Sequence, residues 1–407
     1  VAAPESRYGA IGPAAVRAER KIMVYLDNNA TTPLDPAVAE KMCWFLKEHF
    51  GNPSSLYPIG RAVKELVTAA RENVAKAIGA HRNEIIFTGS GTEADNFAIR
   101  GAIDMSPEKN EIITSAVEHL AVLRVANYLE KKGFKVTYVP VDGFGTVDLN
   151  FLEDAITGRT ALISVMLTNN EIGTIQPVEA IVKIAKKRGV LVHTDAVQAL
   201  GKIDVDVEKL GVDLLTVSGH KVYGPKGVGA LFVRRGIGIC PFILGGHQER
   251  GMRAGTENTV GIVGFGEAAR LLAERGKKDR EKIGRLAETL KKGIEETVPK
   301  TKFNGHPEKR AENTLNFSFP GLEAEAILLA LATKSIYVST GSACSEESEE
   351  ASHVLLAIGL RPEIARSSIR MSLGRFNTED DIRVVLRELP EIIEKLRRIS
   401  AFEPEGD

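Results

Sequence analysis

Ser218-Gly219-His220-Lys221 closes the apolar run Asp213–Val217. A lysine directly after such a run and a Ser-Gly turn stands at a pocket mouth, where it is either a solvated strand-end amine or, if its surroundings lower its proton affinity, a Schiff-base former. Lys226, in GPKGVG, is a second amine that spacing alone does not separate from it. Asp195 ends the run VLVHTD, one further βα unit before Lys221, so both belong at the same sheet edge. A carboxylate there either caps a helix or pairs with the protonated ring nitrogen of a cofactor. TGSGTEADN, from Thr88 to Asn96, opens a helix after the strand-like EIIFT. Its Gly91 and Thr92 form either a plain glycine-rich helix cap or a cradle in which free backbone N–H groups hold a phosphate. The segment lacks the lysine of a P-loop and the glycine spacing of a dinucleotide fold, so neither reading applies.

Two further residues complete the set. His119, in AVEHLAVL, follows the strand-like EIITS, where an imidazole can stack on a flat ring and shuttle protons or simply fill a structural place. Cys344 lies in STGSACSEESEEASHV, a stretch of small, polar and acidic residues without periodicity that reads as an exposed loop. A free thiol has a pKa of about 8.5. Glu346 and Glu347 beside it oppose the thiolate, so activation has to come from the pocket. The remaining histidines show no metal-ligand spacing, and no cysteine pair supports zinc.

The elements that must position these groups follow from periodicity. From about residue 60, segments with three- and four-residue apolar spacing (VKELVTAARENVAKAI, AVLRVANYLEKKG, VEAIVKIAKKRG) alternate with short apolar runs (EIIFT, EIITSAV, KVTYVPV, TALISVML, VLVHTD, LLTVSG, GVGALFVRR). That alternation predicts an α/β fold with a mostly parallel sheet covered on both faces, its chemistry at the carboxyl ends of the strands. After Gly266 a long charged helical stretch changes the texture, and the remainder mixes strands and helices as a smaller α+β domain. The expected division is a tail over 1–20, a large domain over 36–275, and a small domain built from 21–35 and 276–407 that carries Cys344.

Composition bounds the function. The chain has 407 residues, 43% hydrophobic and 26% charged, with a net charge of −1. These values fit a globular protein and argue against nucleic acid or an anionic membrane as the main partner. No apolar run approaches the roughly 20 residues a membrane span requires. Three cysteines, Cys43, Cys240 and Cys344, form no disulfide framework and suit a reducing compartment, with the cytoplasm as the expected location. Cys43 and Cys240 stand in apolar contexts, KMCWFL and GICPFI.

Taken together, the segments resemble the cysteine desulfurases of the class V aminotransferase group, in their NifS/IscS-like (group I) branch. The resemblance runs collinearly over about residues 24–400 through YLDNNATTPLDP, GNPSS, FTGSGTEADN, VEHLAVL, NNEIGTIQP, HTDAVQALGK, SGHKVYGPKGVGALFVRR, GGHQERGMRAGTEN, STGSACS and SSIRMSLGRFNTEDDI. It implies the fold-type I architecture of transferases dependent on pyridoxal 5'-phosphate. It further implies Lys221 as the Schiff-base lysine, Asp195 as partner of the ring nitrogen, Gln198 as donor to the ring oxygen and His119 as the stacking acid/base. Gly91, Thr92, Ser218 and His220 resemble the family's phosphate contacts, and Thr256 resembles one that reaches across from a second subunit of a homodimer. Asn170 and Arg370 look like the clamp on the substrate carboxylate, an arrangement suited to a guanidinium fork, and Asn170 also borders the cofactor. Cys344 looks like the thiol that takes sulfur from L-cysteine as a persulfide, leaving alanine, for delivery to an acceptor such as an iron–sulfur scaffold protein (IscU-like).

The chain departs from the family pattern at GSGTEA, often SGATES; at Leu120, often lysine; and at His247, often glycine. None of these removes a catalytic group. Two other readings are a different enzyme on the same fold, such as an aminotransferase, a kynureninase-like hydrolase or a selenocysteine lyase, and a non-catalytic interaction subunit. Cys344 argues against most of the first, and the complete set of Lys221, Asp195, His119 and Cys344 against the second.

Overall fold

The computed structural model describes residues 23–340 and 351–400. It begins with a short strand, β1 (Val24–Tyr25), and two helices, α1 (Pro36–Glu48) and α2 (Pro58–Ala77). Strands and helices then alternate: β2 (Ile85–Thr88), α3 (Gly91–Asp104), β3 (Glu111–Ser115), α4 (Leu120–Lys131), β4 (Lys135–Val139), α5 (Leu149–Ala155), β5 (Thr160–Ser164), α6 (Val178–Lys187), β6 (Leu191–Asp195), α7 (Val207–Leu210), β7 (Leu214–Ser218) and β8 (Gly229–Val233). These strands form one seven-stranded sheet in the order β2-β8-β7-β6-β5-β3-β4. Only β8 runs against its neighbours; the other six are parallel. The short apolar runs of the sequence become these strands because residues such as those of β5 and β7 are buried throughout, as strands covered on both faces must be.

The parallel direction puts the carboxyl ends of β2, β3, β5, β6 and β7 at one edge, which is where the chemical segments emerge. Local signals place each helix start there. The Ser90 hydroxyl accepts from the Glu93 N–H and caps α3, and His119 Nδ1 accepts from the Ala121 N–H to cap α4. Gly229 lets the capped end of α3 lie against β8, since a Cβ there would stand 2.6 Å from the carbonyl carbon of Ser90.

A single helix, α8 (Thr259–Thr297), leaves this body. Its 39 residues run about 58 Å at the usual rise. Its first turns bury Ile262, Val263, Phe265 and Leu271 in the core under the large sheet. Its last turns bury Ile283, Leu286, Leu290 and Ile294 in a second core. The helix therefore begins before the charged stretch that signals it in the sequence, and Gly266 lies inside it rather than ahead of it. That second core is built with β9 (Lys302–Asn304), β10 (Thr314–Ser318), α9 (Ala324–Thr333), β11 (Ile336–Tyr337), β12 (Ser339–Thr340), β13 (Ser368–Ser372) and α12 (Glu379–Ile399), whereas α10 (His353–Ala357) and α11 (Pro362–Arg366) bury Val354, Leu355 and Ala365 in a smaller cluster with Val117 and Ile172. Its antiparallel sheet has the order β12-β13-β10-β9, and β1 pairs in parallel with β11, tying the start of the described chain to its C-terminal half.

Between the two cores, α8 is held by charge. Asp35 accepts from Arg275 at 2.5 Å and from Arg375 at 2.8 Å, and Arg375 also pairs with Asp279 at 3.0 Å. Asp35 and Arg375 are buried, so each charge needs the other. Among the described residues, no helix is long and apolar enough to cross a membrane.

The contact of α8 with α2 depends on Gly266, where a Cβ would come within 2.4 Å of the Ala70 Cα. Gly266→Ala is expected to cost about 1–3 kcal/mol through forced separation of the helices. Equilibrium denaturation checks this, and an unchanged midpoint would contradict the packing described.

Candidate active site

The crevice lies where the carboxyl edge of the large sheet meets the N-terminal segment before α1 and the start of β13. Lys221 follows β7 in a single 3-10 turn, Gly219–Lys221. Its amine donates to the carbonyls of Asn29 and, at 2.7 Å, Ala30. Lys226, the other amine left open by spacing, is exposed. Asp195, the last residue of β6, is buried, and its carboxylate accepts from the Val197 N–H at 2.8 Å. Burial pushes its pKa up to about 6, while the Val197 N–H and the Lys221 charge pull the other way and favour the carboxylate.

Gly91 opens α3 directly against this site. A Cβ on it would lie 2.9 Å from Val197 and 3.5 Å from Ser218. The Ser218 hydroxyl is buried and has no hydrogen-bond partner among the described residues. A helix N-terminus, a glycine and an orphaned hydroxyl together make a place for an anion. His220 reaches the hydroxyl of Thr31 at 3.2 Å, and burial with nearby lysines lowers its pKa to about 4, leaving the ring neutral. Thr92 borders a cleft of about 460 Å³ together with His119.

His119 is largely buried, and that burial, with the Lys221 charge behind it, lowers its pKa to about 4. As Nδ1 accepts from Ala121, the proton of the neutral ring sits on Nε2. Beneath it, Glu118 is fully buried and takes hydrogen bonds from the Ser115 hydroxyl and the Met166 N–H. Asp95, also buried, has an oxygen with no hydrogen-bond partner among the described residues, 3.7 Å from His193 Nε2.

Across the crevice, Arg370 of β13 donates to Asp27 at 2.7 Å and to the carbonyl of Asn170 at 3.1 Å. Its Nε and the Asn170 Oδ1 are buried without partners among the described residues. Gln198 donates from Nε2 to the Asn29 carbonyl at 2.9 Å. Thr256 does not line this crevice; it is exposed, on a separate cavity with Thr88, Gly89 and Gly227. Cys344 lies outside the described residues.

Sequence reasoning missed Asn29, Lys202, Glu118 and Asp95. The first three stand inside quoted segments (YLDNNATTPLDP, HTDAVQALGK, VEHLAVL), and Asp95 lies in TGSGTEADN. Membership of those segments was the available signal. Their contacts reach outside their own segments, from 48 positions for Glu118 with the Met166 N–H to 285 for Asn29 Nδ2 with Thr314 Oγ1 at 2.8 Å.

Residues 24–385 match the family described as Aminotransferase class-V. A curated protein of Clostridium botulinum named cysteine desulfurase IscS is 50% identical over 380 residues, 93% of this chain and 96% of its own. A solved structure described as a NifS-like protein superposes with a TM-score of 0.87 at 41% identity, covering 92% of this chain and 100% of that one. Another, SspA in complex with cysteine, gives 0.78 at 36% identity, covering 87% and 100%.

Two outcomes follow from the site. Borohydride treatment of protein loaded with a carbonyl cofactor is expected to fix the adduct on Lys221; peptide mapping that finds it on Lys226 would contradict the assignment. Burial pushes Glu118 up to about 8 from an ordinary value of about 4.3. The folded chain then binds this proton more tightly than the unfolded one, so the associated stability is full below about pH 4 and is lost as pH rises to about 8. The melting temperature should fall less steeply between about pH 5 and 8 in Glu118→Gln than in the parent protein. Identical slopes would show that Glu118 is already ionised.

Proposed function

The chain belongs to the aminotransferase class-V family, and on that premise we propose that it is a pyridoxal-phosphate-dependent cysteine desulfurase that moves sulfur from L-cysteine onto Cys344. The observation that carries this reading is the Lys221 amine at the same sheet edge as the buried Asp195 carboxylate.

The residues fit pyridoxal phosphate. The orphaned Ser218 hydroxyl and the N-terminus of α3, with Gly91, Thr92 and His220 around it, suit a phosphate. Asp195, its carboxylate favoured by the Val197 N–H and Lys221, suits a protonated ring nitrogen, Gln198 supplies an amide donor for the ring oxygen, and the neutral His119 ring suits stacking. Lys221 supplies the amine that would hold the aldehyde carbon. When bound, the cofactor supplies an electron sink for the pair left on the substrate Cα.

The chain's own groups do the rest. Arg370 and Asn170 orient the substrate carboxylate, the Nε of Arg370 being a donor without a partner among the described residues. Lys221, freed by the incoming amine, takes the Cα proton on Nζ. The Cys344 thiolate attacks the substrate sulfur: an S–S bond forms, the C–S bond breaks, and the carbon skeleton takes up protons to leave as alanine. His119, through Nε2, exchanges the thiol protons. The persulfide sulfur then passes to an acceptor, which we assign as an iron–sulfur scaffold protein.

We assign the working unit as a homodimer. Exposed apolar side chains run through α1 and into α2, at Trp44, Leu46, Phe50, Leu56, Tyr57 and Ile59. Such a concentration of exposed apolar side chains suits a second copy of the chain, and Thr256, exposed in a single chain, is the residue we assign to a neighbour's phosphate. The two-core organisation supports the division into 36–275 and 21–35 with 276–407.

Cys344→Ser replaces the thiol with a hydroxyl of far higher pKa. The loaded variant is expected to bind L-cysteine and change its visible spectrum, yet to release almost no alanine in a single turnover with thiol reductant present. Near-normal release would mean that sulfur leaves without Cys344. Light scattering is expected to give twice the chain mass, with Leu46→Glu and Phe50→Glu together shifting it towards one; a monomeric parent protein would overturn the shared site.

A further inference from the structure

Lys202 ends the segment HTDAVQALGK, and no step above uses it. After β6 the chain turns on hydrogen bonds such as Lys202 N–H to the Ala199 carbonyl at 2.9 Å, which returns the Lys202 side chain over Gln198. Its amine donates to Gln198 Oε1 and, at 2.8 Å, to Asn29 Oδ1. Both partners are amide oxygens. Burial, with Lys221 and Arg370 nearby, holds the Lys202 pKa well below the usual lysine range. Charged or neutral, the amine has hydrogens to give to both oxygens.

That fixes which way two amides face. With Oε1 of Gln198 against Lys202, its Nε2 points to the Asn29 carbonyl at 2.9 Å, the same carbonyl that receives the Lys221 amine. Turning the amide over would set its NH2 against the donors of Lys202 and its oxygen against the Asn29 carbonyl oxygen, two unfavourable contacts in a buried place. The Asn29 amide is held likewise: Oδ1 also accepts from Asn313 at 3.1 Å, and Nδ2 donates to the Asn170 carbonyl at 3.0 Å.

We propose that Lys202 is a positioning residue: by holding the oxygens of Gln198 and Asn29 it aims the Gln198 amide nitrogen at the place of the Lys221 amine, and so sets the hydrogen bond given to the ring oxygen of the cofactor. This rests on the functional reading above. Lys202 touches neither the reacting atoms nor the substrate and acts through Gln198.

The test is a double-mutant cycle read in the visible spectrum of protein loaded with pyridoxal phosphate, not in turnover. Lys202→Met keeps the length and removes the donors. Losing an aligned donor to the ring oxygen is expected to raise the pH midpoint of the cofactor band by about one unit, roughly tenfold in proton affinity. In a Gln198→Ala background the same change should move the midpoint by less than about a third of that. An equal shift in both backgrounds would show direct action of the Lys202 charge on Lys221 and overturn the proposal, as would no shift in either. If Lys202→Met does not fold, Lys202→Gln decides in the same two backgrounds: a midpoint shift that appears only with Gln198 present supports the proposal, and equal shifts in both, or none in either, overturn it. Absence of any cofactor band in the parent protein would overturn the functional reading itself, and the proposal with it.

Discussion

The carbonyl of Asn29 receives the Lys221 amine and the Gln198 amide, while its side chain bonds Lys202, Asn170, Asn313 and Thr314. One residue of the N-terminal segment therefore joins the turn after β7, the segments after β5 and β6, and the start of β10. The two cores are separate and α8 passes between them, so without such a junction Arg370 on β13 would have no fixed distance from Lys221 on the large sheet. The ionic cluster of Asp35, Arg275, Arg375 and Asp279 holds the same boundary from the helix side. The crevice is precise because the chain crosses between cores at several places and buries polar pairs at each.

Electrostatics under the sheet edge sorts the carboxyls. Burial raises the pKa of all three carboxyls, Asp95, Glu118 and Asp195, and the Asp195 charge adds to the rise at Asp95 and Glu118. Asp195, with the Val197 N–H and Lys221 to support a negative charge, is pushed up only to about 6; Glu118 goes up to about 8, and Asp95 well above its usual range. The arrangement therefore favours negative charge on the residue at the strand end over the two carboxyls behind it. The neutral state of His119 and His220 follows from the same burial and from the lysines beside them.

Much of this was legible in the sequence because the governing signals are local. Apolar runs of about five residues between amphipathic stretches became the strands and helices of the large sheet, and the polar segments at their ends became the crevice. Reversal of β8 was not legible, since an apolar run buried on both faces reads the same in either direction. The start of α8 was obscured because its first turns are apolar and small: Gly264 and Gly266 resemble a break, yet they pack against Met42 and Ala70. Cys43 was expected in an apolar setting from its neighbours, but it is exposed, on the outer face of α1 while Phe45 faces the core. Asn29 and Lys202 were invisible as site residues because hydrogen bonds such as Asn29 to Thr314 span 285 positions.

The central claim is that sulfur leaves L-cysteine by transfer to a thiol of the chain rather than by elimination. Incubation of the loaded protein with L-cysteine, without reductant, followed by peptide mass spectrometry and amine analysis, tests it most directly. The account predicts one additional sulfur on the peptide containing Cys344, with an equal amount of alanine. Pyruvate, ammonia and free sulfide, with Cys344 unmodified, would contradict it.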